Sequence, residues 1–248
     1  MGMSSGSSTR RVVILAPMPL ELKAITSAFG LGRASDAEGA PWTGRVGNSE
    51  VTALHIGMGR PSTRSALSRL FDKTAPDYEP VDHVMIAGIC GGIDPDLPVG
   101  TLVNPKAIVE YARGVSFRHT PPGDAPQAGK LITTDGVMLD MELTRHFLEM
   151  GCLGVDMESS AVAEVCEANG CPWSVYRCIS DRIYDGLLDD RILALSNGDG
   201  SANMAELERL LAAEPEVAQN LERLNHDATL AARRAAEAAF RGCVALDT

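Results

Sequence analysis

The stretch from Gly154 to Asp185, GVDMESSAVAEVCEANGCPWSVYRCISDRIYD, decides the fold, because it sets a helix between two strands and carries ionisable groups at their ends. Val155 reads as a strand end, and Asp156 or a neighbour caps a helix starting near Met157. Within that helix Ala161, Val162, Val165 and Cys166 recur at the spacing of a buried stripe, while Glu164 and Glu167 face elsewhere. Asn169-Gly170 supplies a left-handed stop, and Pro172 keeps the helix from resuming. Trp173 to Ile179 is then mostly apolar, a buried strand, with Ser180-Asp181 directly after its C-terminal end. Open α/β sheets place their ligand crevice there. Arg177 interrupts the strand. A guanidinium among apolar neighbours needs a buried anionic partner, which marks Arg177 as a functional candidate.

Upstream, Val12 to Ala16 is a short β-branched run, a central first strand, and Pro19 suits the first turn of the helix that follows. Glu21 lies near the top of that strand, either as a first-turn glutamate favoured by the helix dipole or as part of a site. Residues 30–50 read as a turn and a weak hairpin. Val51 to Ile56 forms the next strand, ending in Gly57-Met58-Gly59-Arg60-Pro61, where two glycines bring backbone N–H groups close to a ligand or another loop. The pattern is not a dinucleotide fingerprint. Arg60 meets an anion or is a solvated loop residue. Val81 to Ala87 is a third strand, closed by a second glycine-rich loop, Gly88-Ile89-Cys90-Gly91-Gly92.

Short strands are expected near 101–103, 107–111 and 130–134, with an amphipathic helix from Leu139 to Met150. Residues 112–129 hold Pro121, Pro122, Gly123 and Pro126 and read as a surface loop without regular structure, leaving His119 solvated. From Met204 to about Arg241 the chain is helical, broken at Pro215, with a role in packing.

With 248 residues, 45% of them hydrophobic, the chain is expected to form one large domain over 11–248 behind a polar, disordered segment at 1–10. A net charge of −11 argues against nucleic acid or an acidic membrane as partner. No apolar run approaches the ~20 residues of a membrane span, and the N-terminus lacks the apolar stretch of a signal peptide, so a cytoplasmic location is expected. The six cysteines form no CxxC pair and read as reduced, buried thiols. The five histidines are scattered, so neither metal nor cofactor is expected.

Taken in order, VVILAPMPLE, IGMGRPST, AGICGGI with the later PVGTLV, VDMES and RCISD resemble the nucleoside phosphorylase/nucleosidase family, nearest to its methylthioadenosine/S-adenosylhomocysteine nucleosidase-like members. The resemblance covers residues 12 to about 185. It implies a three-layer α/β/α fold around a central mixed, twisted sheet, with a helical C-terminal tail. It also implies a homo-oligomer, a dimer before a hexamer, whose neighbouring subunit completes the pocket. VDMES corresponds to the segment whose methionine and second glutamate hold the ribose, here Met157 and Glu158. RCISD corresponds to a segment whose aspartate protonates the leaving purine at N7, here Asp181, oriented by Ser180. Met58, Ile89, Gly91 and Val137 fall at the remaining substrate-binding positions. The stacking aromatic of the family is missing from its place near Gly136-Val137, and Tyr184, Phe117 or a neighbour's side chain would have to substitute.

The chemistry asks for these residue types. Cleaving an N-glycosidic bond builds an oxocarbenium-like sugar and an anionic base, so an acid with a raised pKa must serve the base and a second carboxylate the sugar side. Asp181 and Glu21 take these roles, with Arg177 as a partner. The purine phosphorylases carry an arginine that grips phosphate where this chain has Glu21, and an R-x-G-[ST] loop where it has Ile86-Ala87-Gly88-Ile89. Hydrolysis of a 5′-modified purine nucleoside is therefore expected ahead of phosphorolysis. The nucleosidases usually keep a serine at position 89, so Ile89 departs from both. A non-catalytic nucleoside-binding module would keep Met157 and Glu158 but has no need of Asp181, Glu21 and Arg177 together.

Overall fold

The computed structural model describes residues 9–37 and 39–248; most of the polar N-terminal segment lies outside them. Eleven strands of the described residues join in one mixed sheet. Its first part is β1 (Arg10–Ala16), β2 (Gly32–Arg33), β3 (Trp42–Val46), β4 (Ser49–His55) and β5 (His83–Gly92), with α1 (Pro19–Phe29) and α2 (Gly59–Leu70) between them. After β6 (Leu102–Val103), β7 (Ala107–Glu110), β8 (Val115–Arg118) and β9 (Lys130–Thr133) come α3 (Met141–Glu149), β10 (Cys152–Asp156), α4 (Ser159–Ala168) and β11 (Trp173–Arg182). A four-residue helix α5 (Asp190–Leu193), α6 (Met204–Ala213) and the long α7 (Val217–Ala245) complete the chain.

Alternation along β1 shows why two helical layers form. Val13 and Leu15 point to the face covered by α2 and α4, among Leu67, Val162, Ala163 and Cys166. Val12, Ile14 and Ala16 point to the other face, against Ile25 and Phe29 of α1 and Ala236, Ala239 and Cys243 of α7. A strand buried on both faces needs apolar residues at every position, which is what this run provides. The three-layer arrangement with a helical tail is as the resemblance implied. Pro215 separates α6 from α7, and the alanine-rich part of α7 lies close on the sheet, where Gly242 leaves room for the Tyr176 ring.

Three expectations are corrected. Residues 112–129 are not wholly irregular: β8 pairs antiparallel with β7, and Phe117 is buried between them and the core. His119 is buried rather than solvated. Its Nδ1 faces the Pro105 carbonyl at 2.9 Å, its Nε2 accepts the Val175 amide at 3.0 Å, and its ring stacks on Trp173. It thus closes the free edge of β11. Third, the GICGG segment is no loop. β5 runs unbroken through it to Gly92, and β11 pairs with it throughout, carrying Ser180 and Asp181 inside the strand around a bulge rather than beyond its end.

Candidate active site

The site is built at an interruption in the sheet. One edge of β5 is covered by β1 from His83 to Ile86 and by β10 at Gly91 and Gly92, which leaves the residues between without a strand on that side. Two side chains take its place. Glu21 Oε1 accepts the Ile89 N–H at 2.8 Å, and Arg177 Nη1 donates to the Ile89 carbonyl at 3.3 Å. Both lie over Gly88, where a Cβ would run into the Glu21 carboxylate and come within 2.8 Å of Arg177 Nη1. Glycine at 88 is required because the charged groups occupy the volume of any side chain.

Arg177, 1% exposed, is held by three carboxylates. Its Nε donates to Asp156 Oδ2 at 3.0 Å, Nη2 to Glu158 Oε2 at 2.8 Å, and Nη1 reaches Glu21 Oε1 at 3.4 Å. The anionic partner that the sequence demanded is therefore a set. Asp156 sits at the end of β10, where its carboxylate also takes the Thr133 hydroxyl at 2.7 Å and the Ser159 amide at 3.1 Å. It thereby caps α4, which begins two residues later than expected, with Glu158 in the cap position. Glu158 receives a further bond from the Gly59 amide at 2.7 Å, so the glycine loop after β4 grips a carboxylate of the protein itself. Met157 lies half-buried alongside, its methyl near Gly59.

Three carboxylates around one guanidinium carry an excess of negative charge inside a buried cluster. Burial pushes Glu21 up to about 7; Arg177 opposes this, Glu158 adds to it, and the Ile89 and Met18 amides pull it back. Glu158 is raised as well, first by burial, against the pull of Arg177. Glu21 is thus poised to exchange a proton near neutral pH, as a general base requires. Asp181 is likewise raised by burial, partly offset by the Ser180 hydroxyl and increased by Asp185. That hydroxyl donates to Asp181 Oδ1 at 2.6 Å, and the Cys90 carbonyl at 3.3 Å is its weaker alternative. Gly91 flanks the acid: a Cβ there would lie 3.6 Å from Asp181 Oδ2 and 3.2 Å from Val155 Cγ1.

The structure thus joins Glu21, Arg177, Glu158 and the backbone of Ile89 in one hydrogen-bonded cluster, with Ser180, Asp181 and Gly91 at the end of the same two strands. The Ile89 side chain itself packs beside Cys178, Ala231 and Ala235, towards α7, so only its backbone serves the cluster. Met58 caps α2, and its amide donates to the Gly198 carbonyl, which brings a later loop over the end of β4. Val137 lies exposed on the loop before α3, and Tyr184 is exposed after β11. Phe117 is in the core and is no base-stacking residue. Arg60 is not solvated but meets anions of the protein itself, since Asp135 and Glu110 hold it. Sequence reasoning missed Asp156 and Gly88 as site residues. Asp156 had a signal, standing two residues before Glu158, whereas Gly88 becomes legible only once Arg177 and Glu21 are seen to meet across it.

Residues 11–228 match the phosphorylase superfamily. The chain belongs to that superfamily. Among its relatives, the 5′-methylthioadenosine/S-adenosylhomocysteine nucleosidase of Geobacillus thermodenitrificans is 29% identical over 170 residues, 56% of this chain and 70% of that protein. The nucleosidase of the same name from Chromohalobacter salexigens is 24% identical over 203 residues, 69% and 84% of the two chains. The superfamily fold recurs in the S-adenosylhomocysteine nucleosidase of Streptococcus pyogenes, with a TM-score of 0.69 at 16% identity, covering 98% of this chain and 99% of that one. The futalosine hydrolase of Helicobacter pylori gives 0.65 at 18% identity, covering 96% and 98%.

Proposed function

We propose that this protein hydrolyses the N-glycosidic bond of a purine nucleoside, a 5′-modified adenosine of the methylthioadenosine or adenosylhomocysteine type, releasing the free base. Glu158 accepts the ribose hydroxyls on lone pairs left over from Arg177 and Gly59, and Met157 packs on the sugar. Asp181, whose pKa burial raises and whose carboxyl Ser180 orients, gives its proton to N7 as the C1′–N9 bond breaks. Glu21 takes a proton from the water whose oxygen bonds to C1′. Met58, Gly91, Val137 and the Ile89 backbone border the substrate.

The observation that carries this reading is Glu21, a buried carboxylate titrating near neutrality on the open edge of β5. It suits water and repels phosphate, and the candidate guanidiniums are already paired: Arg177 with Glu21, Asp156 and Glu158, Arg60 with Glu110 and Asp135. The relatives named above support the substrate class. The reading takes residues 11–248 as one domain acting without cofactor or metal. It places the enzyme in the cytoplasm, supported by six buried free thiols. It also takes the enzyme as a homodimer ahead of a hexamer, supported by the exposed apolar side chains of Tyr111, Val115, Val137, Leu139 and Met141.

The test is purine release from 5′-modified adenosines and plain purine nucleosides, with and without phosphate, identifying the sugar. Free pentose at a phosphate-independent rate is expected, and Asp181→Asn should lower kcat by roughly 10²–10⁴. Sugar 1-phosphate formed only with phosphate would replace hydrolysis by phosphorolysis.

A further inference from the structure

Arg60 follows directly on Gly59, whose amide holds Glu158. Its side chain is only 11% exposed, yet it points away from the Arg177 cluster. Nε and Nη2 both donate to Asp135 Oδ1, at 2.8 and 2.5 Å, and Nη1 donates to the buried Glu110 on β7. Glu110 also accepts Arg113, through Nε at 2.7 Å, and Arg113 reaches Glu164 of α4 at 2.8 Å. Glu164 in turn accepts Arg64 of α2 at 3.1 Å through Nε. Charges of alternating sign thus link α2, α4 and the β7–β8 turn. Asp135 is different. It sits on the loop between β9 and α3, and its side chain is 65% exposed.

That loop is anchored on the end of β10, beside the strand ends that carry Asp181. Its Met138 shares an apolar cluster with Val155 and Ile183, and Val155 borders Gly91 beside Asp181. At its start the Thr134 amide donates to the Asp156 carbonyl at 2.9 Å. Between those anchors Asp135, Gly136 and Val137 are exposed, and the Arg60–Asp135 pair is the side-chain tie that runs from this span to the rest of the fold. In the proposed reaction a base protonated by Asp181 would meet this span, while the ribose would lie on Glu158, next to the start of α2.

We propose that Arg60 is a positioning residue for the base: through Asp135 it fixes the 134–138 loop relative to the helix start that orients Glu158. The identity of the base rests on the nucleosidase reading; the clamp itself does not. A guanidinium forked onto one carboxylate oxygen and anchored behind by a buried glutamate holds the loop where an exposed pair alone would not. Neither residue touches the reacting atoms, so the effect falls on binding of the base rather than on bond cleavage.

Arg60→Gln, Asp135→Asn and the double variant test this. The KM of the nucleoside and the inhibition constant of adenine are expected to rise about tenfold in each single variant, with kcat within about threefold. The inhibition constant of the 5-methylthioribose product should stay at the wild-type value, and the double variant should be no worse than either single one. Adenine inhibition unchanged in folded single variants would overturn the proposal, as would a parallel loss of kcat and of both product affinities. Hydrogen–deuterium exchange of residues 134–138 in the unliganded protein decides the clamp separately. Exchange should be faster in Arg60→Gln, and wild-type exchange there would overturn it. If the wild type cleaves no nucleoside, the reading of the reaction fails while the exchange result still stands.

Discussion

At the scale of the residue, Arg177 organises the site. An arginine on a strand buried on both faces costs desolvation that one carboxylate would barely offset, and here three surround it. Burial is what chiefly raises Glu21, and the neighbouring Glu158 adds to it, so the cluster that holds Arg177 also sets the carboxylate that the proposed hydrolysis uses as its base. This fixes the sign of the pH dependence. The proposed hydrolysis needs Glu21 deprotonated, so kcat/KM should rise with pH through about 7. The same reaction needs Asp181 protonated, so its titration should give a limb along which the rate falls with pH, shifted upward by burial from the ordinary carboxylate range. Rate profiles of the wild type and Glu21→Gln should differ in the rising limb, which the variant loses along with roughly 10²–10⁴ in rate. A rising limb that persists in the variant would assign it to another group.

At the scale of the element, β5 does unusual work for a central strand. It is paired on one edge throughout and abandoned on the other for a few residues, and side chains substitute for the missing ladder. Glycine at 88 makes this possible. Gly88→Ala should fold, with a stability loss of about 1–3 kcal/mol from overpacking, and should lose about 10²-fold or more in kcat/KM as Glu21 is displaced. Gly91→Ala is the companion variant. Its Cβ would meet Val155 Cγ1 at 3.2 Å, not a charged group of the cluster, so its effect should be smaller. Equal losses in both would mean that the strand tolerates an added side chain at neither glycine, and that the placing of Glu21 is not what Gly88 protects.

At the scale of the whole molecule, a polar group outside the carboxylate cluster joins distant parts of the chain. His119, next to the proline-rich segment, completes the edge of β11 and is held neutral, its pKa lowered by burial to about 4. The unfolded chain binds a proton at the ordinary value of 6.5, so this contribution is present above that pH and is lost as pH falls towards 4. Its size is on the order of 3 kcal/mol. Denaturant melts should therefore show wild type more stable than His119→Leu at neutral pH, with the gap narrowing by about that amount near pH 4. A gap that stays constant would mean that the ring takes up its proton without leaving the fold.

The sequence by itself determined the layers and most of the site. Two-sided apolar strands such as Val12 to Ala16 must be central, the helix stops at Asn169-Gly170 and Pro215 are local, and Arg177 within an apolar strand demanded an anion wherever the chain put one. Local rules failed where distant partners overrode them. Gly88 to Gly92 has turn composition, yet it stays a strand because β11 lies along it and Glu21 fills the gap beside it. His119 and Phe117 sit in a loop-like context, yet the edge of β11 and the core claim them. Arg60 had two open fates from its neighbours in sequence, and carboxylates 50 and 75 residues away decided between them. Only the tertiary structure brings such groups together, and the Coulombic and desolvation terms that set their roles depend on distance and burial, which sequence spacing does not encode.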